Sequence, residues 1–141
     1  MSVRAFLGRG GLALAGACLL AGLGAGVASA APDHCVSTNG TVRVQQGTAT
    51  CYSVAGRGNV AVAHGPGTNA EAGATPGDEH NRARVQGSNS TAVSGDGDNN
   101  SATARGTDTG ARAGNGSNNT AVARTDGCRA DAQGQGTTAR C

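Results

Sequence analysis

NSATARGTDTGARAG (residues 100–114) lies in register with NVAVAHGPGTNAEAG (residues 59–73), and the two agree at eight of fifteen positions without a gap. The matches fall on a frame, N-x-A-x-A-x-G, followed at a fixed distance by A-x-A-G. The first alanines of successive A-x-A or near matches are Ala61, Ala70, Ala83, Ala92, Ala102, Ala111, Ala121, Ala130 and Ala139, spaced by 9, 13, 9, 10, 9, 10, 9 and 9 residues. The one irregular step contains TPGDEH (residues 75–80), which reads as a loop inserted after Pro76-Gly77. Repetition at a short fixed period marks a stacked architecture.

Each unit has one grammar: a turn of Gly, Asn, Asp and Ser, a short stretch of period 2, and a closing Gly. Period 2 means strand, with residues i and i+2 on one face. In SNNTAVAR (residues 117–124) Ala121 and Ala123 face one way, and Thr120 and Val122 the other. Across the units the alanine face is uniformly small. The opposite face varies, with Arg82 and Arg84, Thr91 and Val93, Ser101 and Thr103, and Arg129 and Asp131. A narrow stacked interior demands the first property and leaves the second free. Two steps make a coil of about 19 residues. Asparagines at the turns are placed to form ladders from coil to coil, and Gly, Asn and Asp tolerate the positive φ such turns require. The expected fold is all-β: a short parallel β-solenoid (β-roll) of small-residue repeats with disulfide-closed ends. The competing expectation is a largely disordered chain, which the composition alone would also suit.

Composition narrows the choice. Residues 31–141 contain no Leu, Ile, Phe, Trp, Met or Lys; Tyr52 is their one aromatic residue, and their large apolar side chains are nine valines. Nine valines cannot offset the ordering of more than a hundred residues in an ordinary globule. If the chain folds, backbone hydrogen bonds and close stacking of small residues must carry it. Nine arginines balance nine acidic residues in this segment, so the +2 of the whole chain comes from Arg4 and Arg9. A balanced chain without lysines and nearly without aromatics argues against a nucleic-acid partner and against a basic membrane-surface helix. Arginine in place of lysine, with abundant Ala and Gly, points to a GC-rich, actinobacterial source.

The first thirty residues follow the order of a secretory signal peptide: Arg4 and Arg9, an apolar stretch rich in Ala, Leu and Gly, then Ala28-Ser29-Ala30 at the cleavage site. Cleavage after Ala30 is expected, and the protein is expected to be secreted, outside the cell or in its envelope. A lipid anchor at Cys18 fits less well, because Ala15-Gly16-Ala17 lacks the leucine that usually precedes a modified cysteine and the apolar run continues past it. The organisation then reads as signal peptide 1–30, Cys-bounded cap segment 31–57, Gly/Asn/Ala repeats 58–126, and Cys-bounded repeat or cap 127–141.

Four cysteines remain, Cys35, Cys51, Cys128 and Cys141. An even count in a secreted chain implies disulfides. Three pairings are open, and position favours Cys35 with Cys51 and Cys128 with Cys141, one at each end of the repeats where a solenoid needs capping. No C-x-x-C spacing supports a zinc site.

Few other features carry chemistry. SGDGDNN (residues 94–100) resembles one turn of a calcium-binding nonapeptide roll, with Asp96 and Asp98 as oxygen ligands; the same residues also read as a solvated Gly/Asp turn. Asp78, Glu79 and His80, with His64 one coil earlier, form a polar cluster in the inserted loop, where function often concentrates. They lack the context of a nucleophile motif. Five N-x-S/T sequons, at Asn39, Asn89, Asn99, Asn115 and Asn118, follow from writing Asn before Ser or Thr in every turn.

The phrases NNTAVARTDG, NNSATARGTDTGARAG and GNVAVAHGPGTNAEAG resemble the head repeats of YadA-like trimeric autotransporter adhesins over about residues 58–124. The resemblance implies a left-handed parallel β-roll that binds matrix components. The coil here is longer, and the heptad stalk and anchor barrel of that family have no counterpart in these residues. The layout CVSTNGTVRVQQGTATC followed by Gly/Ala/Thr repeats is also similar to small secreted actinobacterial proteins of unknown function. The expectation is a non-catalytic structural or interaction protein without a cofactor. Its candidate partners are a cell-envelope polymer, another protein or further copies of the chain. The alternatives are a calcium-binding roll that folds on export and a flat binder of ice or glycans using rows of Thr and Asn.

Overall fold

A computed structural model describes residues 32–87 and 89–141. The expected signal peptide and Cys18 lie outside the described residues. The described chain is all-β, with twelve strands: β1 His34–Thr38, β2 Thr41–Gln46, β3 Thr50–Ser53, β4 Val60–His64, β5 Asn69–Ala72, β6 Arg82–Arg84, β7 Thr91–Ser94, β8 Ser101–Thr103, β9 Gly110–Gly114, β10 Thr120–Val122, β11 Arg129–Gln133 and β12 Thr138–Arg140. From β3 onward the strands alternate between two sheets. Sheet A runs β12-β10-β8-β6-β4-β1-β2, and sheet B runs β11-β9-β7-β5-β3. The pairs within this part are parallel, so ten strands make a β-solenoid of five two-strand coils.

The register confirms the spacing read from the alanines. Ala83 pairs with Ala102 and Ala102 with Ala121, steps of 19 residues; on the other sheet Ala92 pairs with Ala111 and Ala111 with Ala130 at the same step. The coil holding residues 75–80 is longer, because Ala61 pairs with Ala83 and Ala70 with Ala92, both steps of 22. The insertion bulges at one turn and leaves both ladders unbroken.

The interior is a set of methyl columns. Ala61, Ala83, Ala102 and Ala121 are fully buried behind sheet A, and Ala70, Ala92, Ala111 and Ala130 are buried behind sheet B. Beside them run Ala63, Val85, Ala104 and Ala123 on one sheet and Ala72, Ser94, Ala113 and Ala132 on the other. Parallel strands about 4.8 Å apart bring each methyl onto the one below. Larger side chains would force the two sheets apart, which is the physical reason for the missing Leu, Ile and Phe.

The two edges of the roll turn by different chemistry but one backbone device. At one edge Asn59, Asn81, Asn100 and Asn119 point inward and are buried. Each side-chain oxygen accepts the backbone N–H of the next inward residue: Asn59 from Asn81 at 2.9 Å, Asn81 from Asn100 at 2.9 Å, Asn100 from Asn119 at 3.0 Å, and Asn119 from Thr137 at 3.0 Å. The expected asparagine ladder is present, and it runs from amide oxygen to backbone. The residue before each rung is left-handed: Gly58, His80, Asn99, Asn118 and Gly136 have φ of 74°, 57°, 58°, 64° and 64°. At the other edge Gly67, Asn89, Asp108 and Gly127, with φ of 69°, 55°, 54° and 68°, precede inward Thr68, Ser90, Thr109 and Cys128. The Asn-Asn doublets are thus two roles in sequence, one left-handed and outside, the next buried in the ladder.

The amino-terminal end departs from the parallel pattern. Thr38-Asn39-Gly40-Thr41 makes a two-residue hairpin in which Asn39 and Gly40 have φ of 49° and 82°, the conformation for which Asn-Gly is favoured. β1 then pairs antiparallel with both β2 and β4. It covers the edge that β4 would otherwise expose, which is a standard protection of sheet edges. β3, inside the same cysteine-bounded segment, already pairs in parallel with β5.

Candidate interaction surface

Disulfides close both ends. Cys35–Cys51 and Cys128–Cys141 have Cα separations of 5.6 and 5.9 Å. Cys35 lies on β1 of sheet A and Cys51 on β3 of sheet B, so the first bond crosses the interior between the sheets. Cys128 lies at the turn into β11, and Cys141 follows β12, where its N–H donates to Val122 O at 3.0 Å. The second bond therefore ties the last strand of sheet A to the last turn before sheet B. Bonds of this kind belong to an oxidising compartment.

The acidic residues singled out in the sequence hold coils together. Asp98 Oδ1 accepts the Glu79 N–H at 2.7 Å, and Asp96 Oδ1 accepts the Thr75 hydroxyl at 3.0 Å. Asp78 Oδ2 accepts the N–H groups of Ala74 and Thr75 at 3.1 and 2.9 Å, and its Oδ1 accepts that of Gly97 at 3.2 Å. These carboxylates organise the inserted turn. Among the described residues no group of three or more His, Cys, Asp or Glu side chains converges as a metal site would require. The geometry does not favour the calcium roll.

His64 is not brought to Asp78, Glu79 and His80. His80 stands before the Asn81 rung, beside Gly58 at the start of β4, whereas His64 ends β4. The two lie at opposite ends of a five-residue strand, about 16 Å apart along it. His80 instead has Glu79 Oε2 3.9 Å from its Nδ1. His64 meets His34 across the β1–β4 ladder, with ring centroids 4.1 Å apart. Burial, then the charges of His34 and Arg84, lower the His64 pKa below 6.5. Nothing in the sequence marked His34, because the pairing depends on the reversal of β1.

The outward rows make two unlike surfaces. On sheet B, Tyr52, Glu71, Val93, Arg112 and Asp131 form one row, and Thr50, Asn69, Thr91, Gly110 and Arg129 the next. A shallow cavity of about 370 Å³ lies over Gly110, bordered by Thr91, Val93, Arg112, Arg129 and Asp131, a lining of mixed sign. On sheet A the rows are Val60, Arg82, Ser101, Thr120 and Thr138, then Val62, Arg84, Thr103, Val122 and Arg140. Not one of the seven strands of sheet A carries an acidic residue. Outward acidic residues therefore stand on strands of sheet B and on none of sheet A.

The fold and its ends define a disulfide-capped parallel β-solenoid. No protein-family model, curated protein or solved structure matches the chain.

Proposed function

We propose that the protein is a secreted, non-catalytic structural or interaction protein whose flat β-roll faces contact a cell-envelope polymer, another protein or copies of itself. The observation that carries this reading is the division of labour across each strand. Inward strand positions are spent on small side chains, nearly all alanine, while the outward positions vary from coil to coil. Such a scaffold offers a rigid, regular surface and leaves little interior volume in which to enclose a reacting molecule. The two end disulfides suit a chain that must hold together outside the cell, where small or weakly cored domains commonly rely on them.

Expression of the full chain in a secreting actinobacterial host tests the reading. The expected result is oxidised protein in the medium or envelope fraction, with a new amino terminus at Ala31 and both disulfides found by non-reducing peptide mapping. Retention of reduced, full-length protein in the cytoplasm overturns it.

A further inference from the structure

We infer that the outer face of sheet A binds a linear acidic polysaccharide, gripping its carboxylate or phosphate groups with Arg82, Arg84, Arg105, Arg124 and Arg140. This rests on the reading of the protein as a secreted interaction protein and names the partner of one face. Arg82 and Arg84 flank the inward Ala83 on β6, and Arg140 follows the inward-pointing Ala139 on β12. Arg105 and Arg124 come directly after the buried Ala104 and Ala123, continuing the outward alternation of β8 and β10. All five side chains are exposed.

Two further observations give the face its sign. No acid lies within the strands of the face: Asp78, Glu79, Asp96 and Asp98 lie in turns at the asparagine edge, Glu71 and Asp131 project from sheet B, and Asp33, just before β1, accepts the Thr48 hydroxyl. Asp108 and Asp126 occupy the turns after Arg105 and Arg124. Yet among the described residues no arginine has a carboxylate within 4.0 Å, and the one ionisable pair that close is Glu79 with His80. The balanced charge of residues 31–141 therefore conceals a segregated surface, on which the guanidinium groups keep their donors free for an external anion. Arginine forks match carboxylate and phosphate geometry in pairs of hydrogen bonds.

Spacing and the remaining side chains favour a polymer of sugars. Arg84 and Arg140 stand in one row three strand intervals apart, about 14 Å. Between the arginine positions lie Ser101, Thr103, Thr120 and Thr138, short hydroxyls able both to donate to and to accept from sugar hydroxyls. No Phe, Tyr or Trp side chain stands on the face, so it lacks the large stacking platforms on which single-stranded nucleic acids are held. A rigid array of cations and hydroxyls repeated at the strand spacing suits a chain that is itself repetitive and charged.

The test uses the oxidised, secreted full chain and measures binding by isothermal titration at low and physiological salt. The probes are polygalacturonate, a purified phosphodiester-linked wall polymer, neutral dextran and duplex DNA. Binding to at least one acidic glycan, weakened by salt and absent with dextran, is expected; which of the two binds tells carboxylate from phosphate. Arg84→Ser/Arg105→Ser/Arg124→Ser should weaken binding at least tenfold, whereas Arg112→Ser/Arg129→Ser on sheet B should change it less than twofold. Circular dichroism checks that the variants keep their β signal. Should the triple variant misfold, protection of these arginines from phenylglyoxal by the bound polymer in the unaltered protein decides the point. No binding to either acidic glycan, equal loss in the sheet B variant, or tighter binding to DNA overturns the inference. Secretion and disulfide pairing would stand unaffected by any of these results.

Discussion

His34 and His64 face each other across the antiparallel junction of β1 and β4, their Nδ1 atoms 3.0 Å apart. One ring must donate and the other accept, so the contact requires at least one neutral imidazole. Asp33, bound by the Thr48 hydroxyl, precedes His34; Gln46 of β2 lies on its other side, and Arg84 of β6 acts on His64. Because the folded His64 pKa is lowered below 6.5, the unfolded chain binds the proton first as pH falls. Stability is then fully present above 6.5 and is lost as pH drops from there through the folded value. Thermal midpoints between pH 5 and 8 should show this loss, and His64→Gln should flatten it. A midpoint that rises on acidification contradicts the assignment.

Neighbouring asparagines should respond oppositely to the same change. Asn99 is exposed and left-handed, with φ of 58°, so Asn99→Gly should leave stability within about 0.5 kcal/mol. Asn100 is buried, accepts the Asn119 N–H at 3.0 Å and donates to Asp96 O at 3.0 Å. Asn100→Gly strands both partners and should cost about 1–3 kcal/mol or more in urea unfolding.

The two disulfides should differ in what they protect. Each closes a loop of similar size, with sequence separations of 16 and 13, worth about 3 kcal/mol in the chain-entropy account. Removing Cys128–Cys141 frees β12, three residues paired with β10 alone, and hydrogen exchange should rise there first. Removing Cys35–Cys51 uncouples the hairpin from β3, so exchange should rise at the opposite end of the roll. Uniform acceleration along the chain in either variant would show that the ends are not separate caps.

The interior should reject added volume that the surface accepts. Ala102 is fully enclosed between Ala83 and Ala121, and Ala102→Leu should cost about 1–3 kcal/mol or prevent folding. Gly116 is as intolerant for another reason: a Cβ there would sit 1.9 Å from the Gly134 carbonyl oxygen, with φ at 141°. Gly110 has ordinary strand geometry and open space around it. Gly110→Ala should stabilise by about 0.4–1 kcal/mol, by reducing the freedom of the unfolded chain. Equilibrium unfolding of Ala102→Leu, Gly116→Ala and Gly110→Ala checks the order.

Much of this was legible in the residues because a solenoid is nearly one-dimensional. Each coil meets only its neighbours, so the spacing of Ala61, Ala83, Ala102 and Ala121 along the chain is also their order in space. The sequence by itself indicated the strands of the repeats, the coil length, the inward alanines, the turn asparagines and the lengthened coil at residues 75–80, but not the three strands of the amino-terminal segment. It also indicated the cysteine pairs by their position, without excluding the other pairings.

What only the tertiary structure decided depends on which strands share a sheet. Alternate strands of the chain go to opposite faces, so the arginines of β6 and β12 and those after β8 and β10 gather on sheet A, while Glu71 and Asp131 go to sheet B. Charge counted along residues 31–141 balances; charge sorted by face does not. The meeting of His34 with His64 likewise required the hairpin at Asn39-Gly40 to reverse β1 onto β4. Local period reports which side of a strand a residue occupies, but the partner across the ladder is set by the path of the chain between strands.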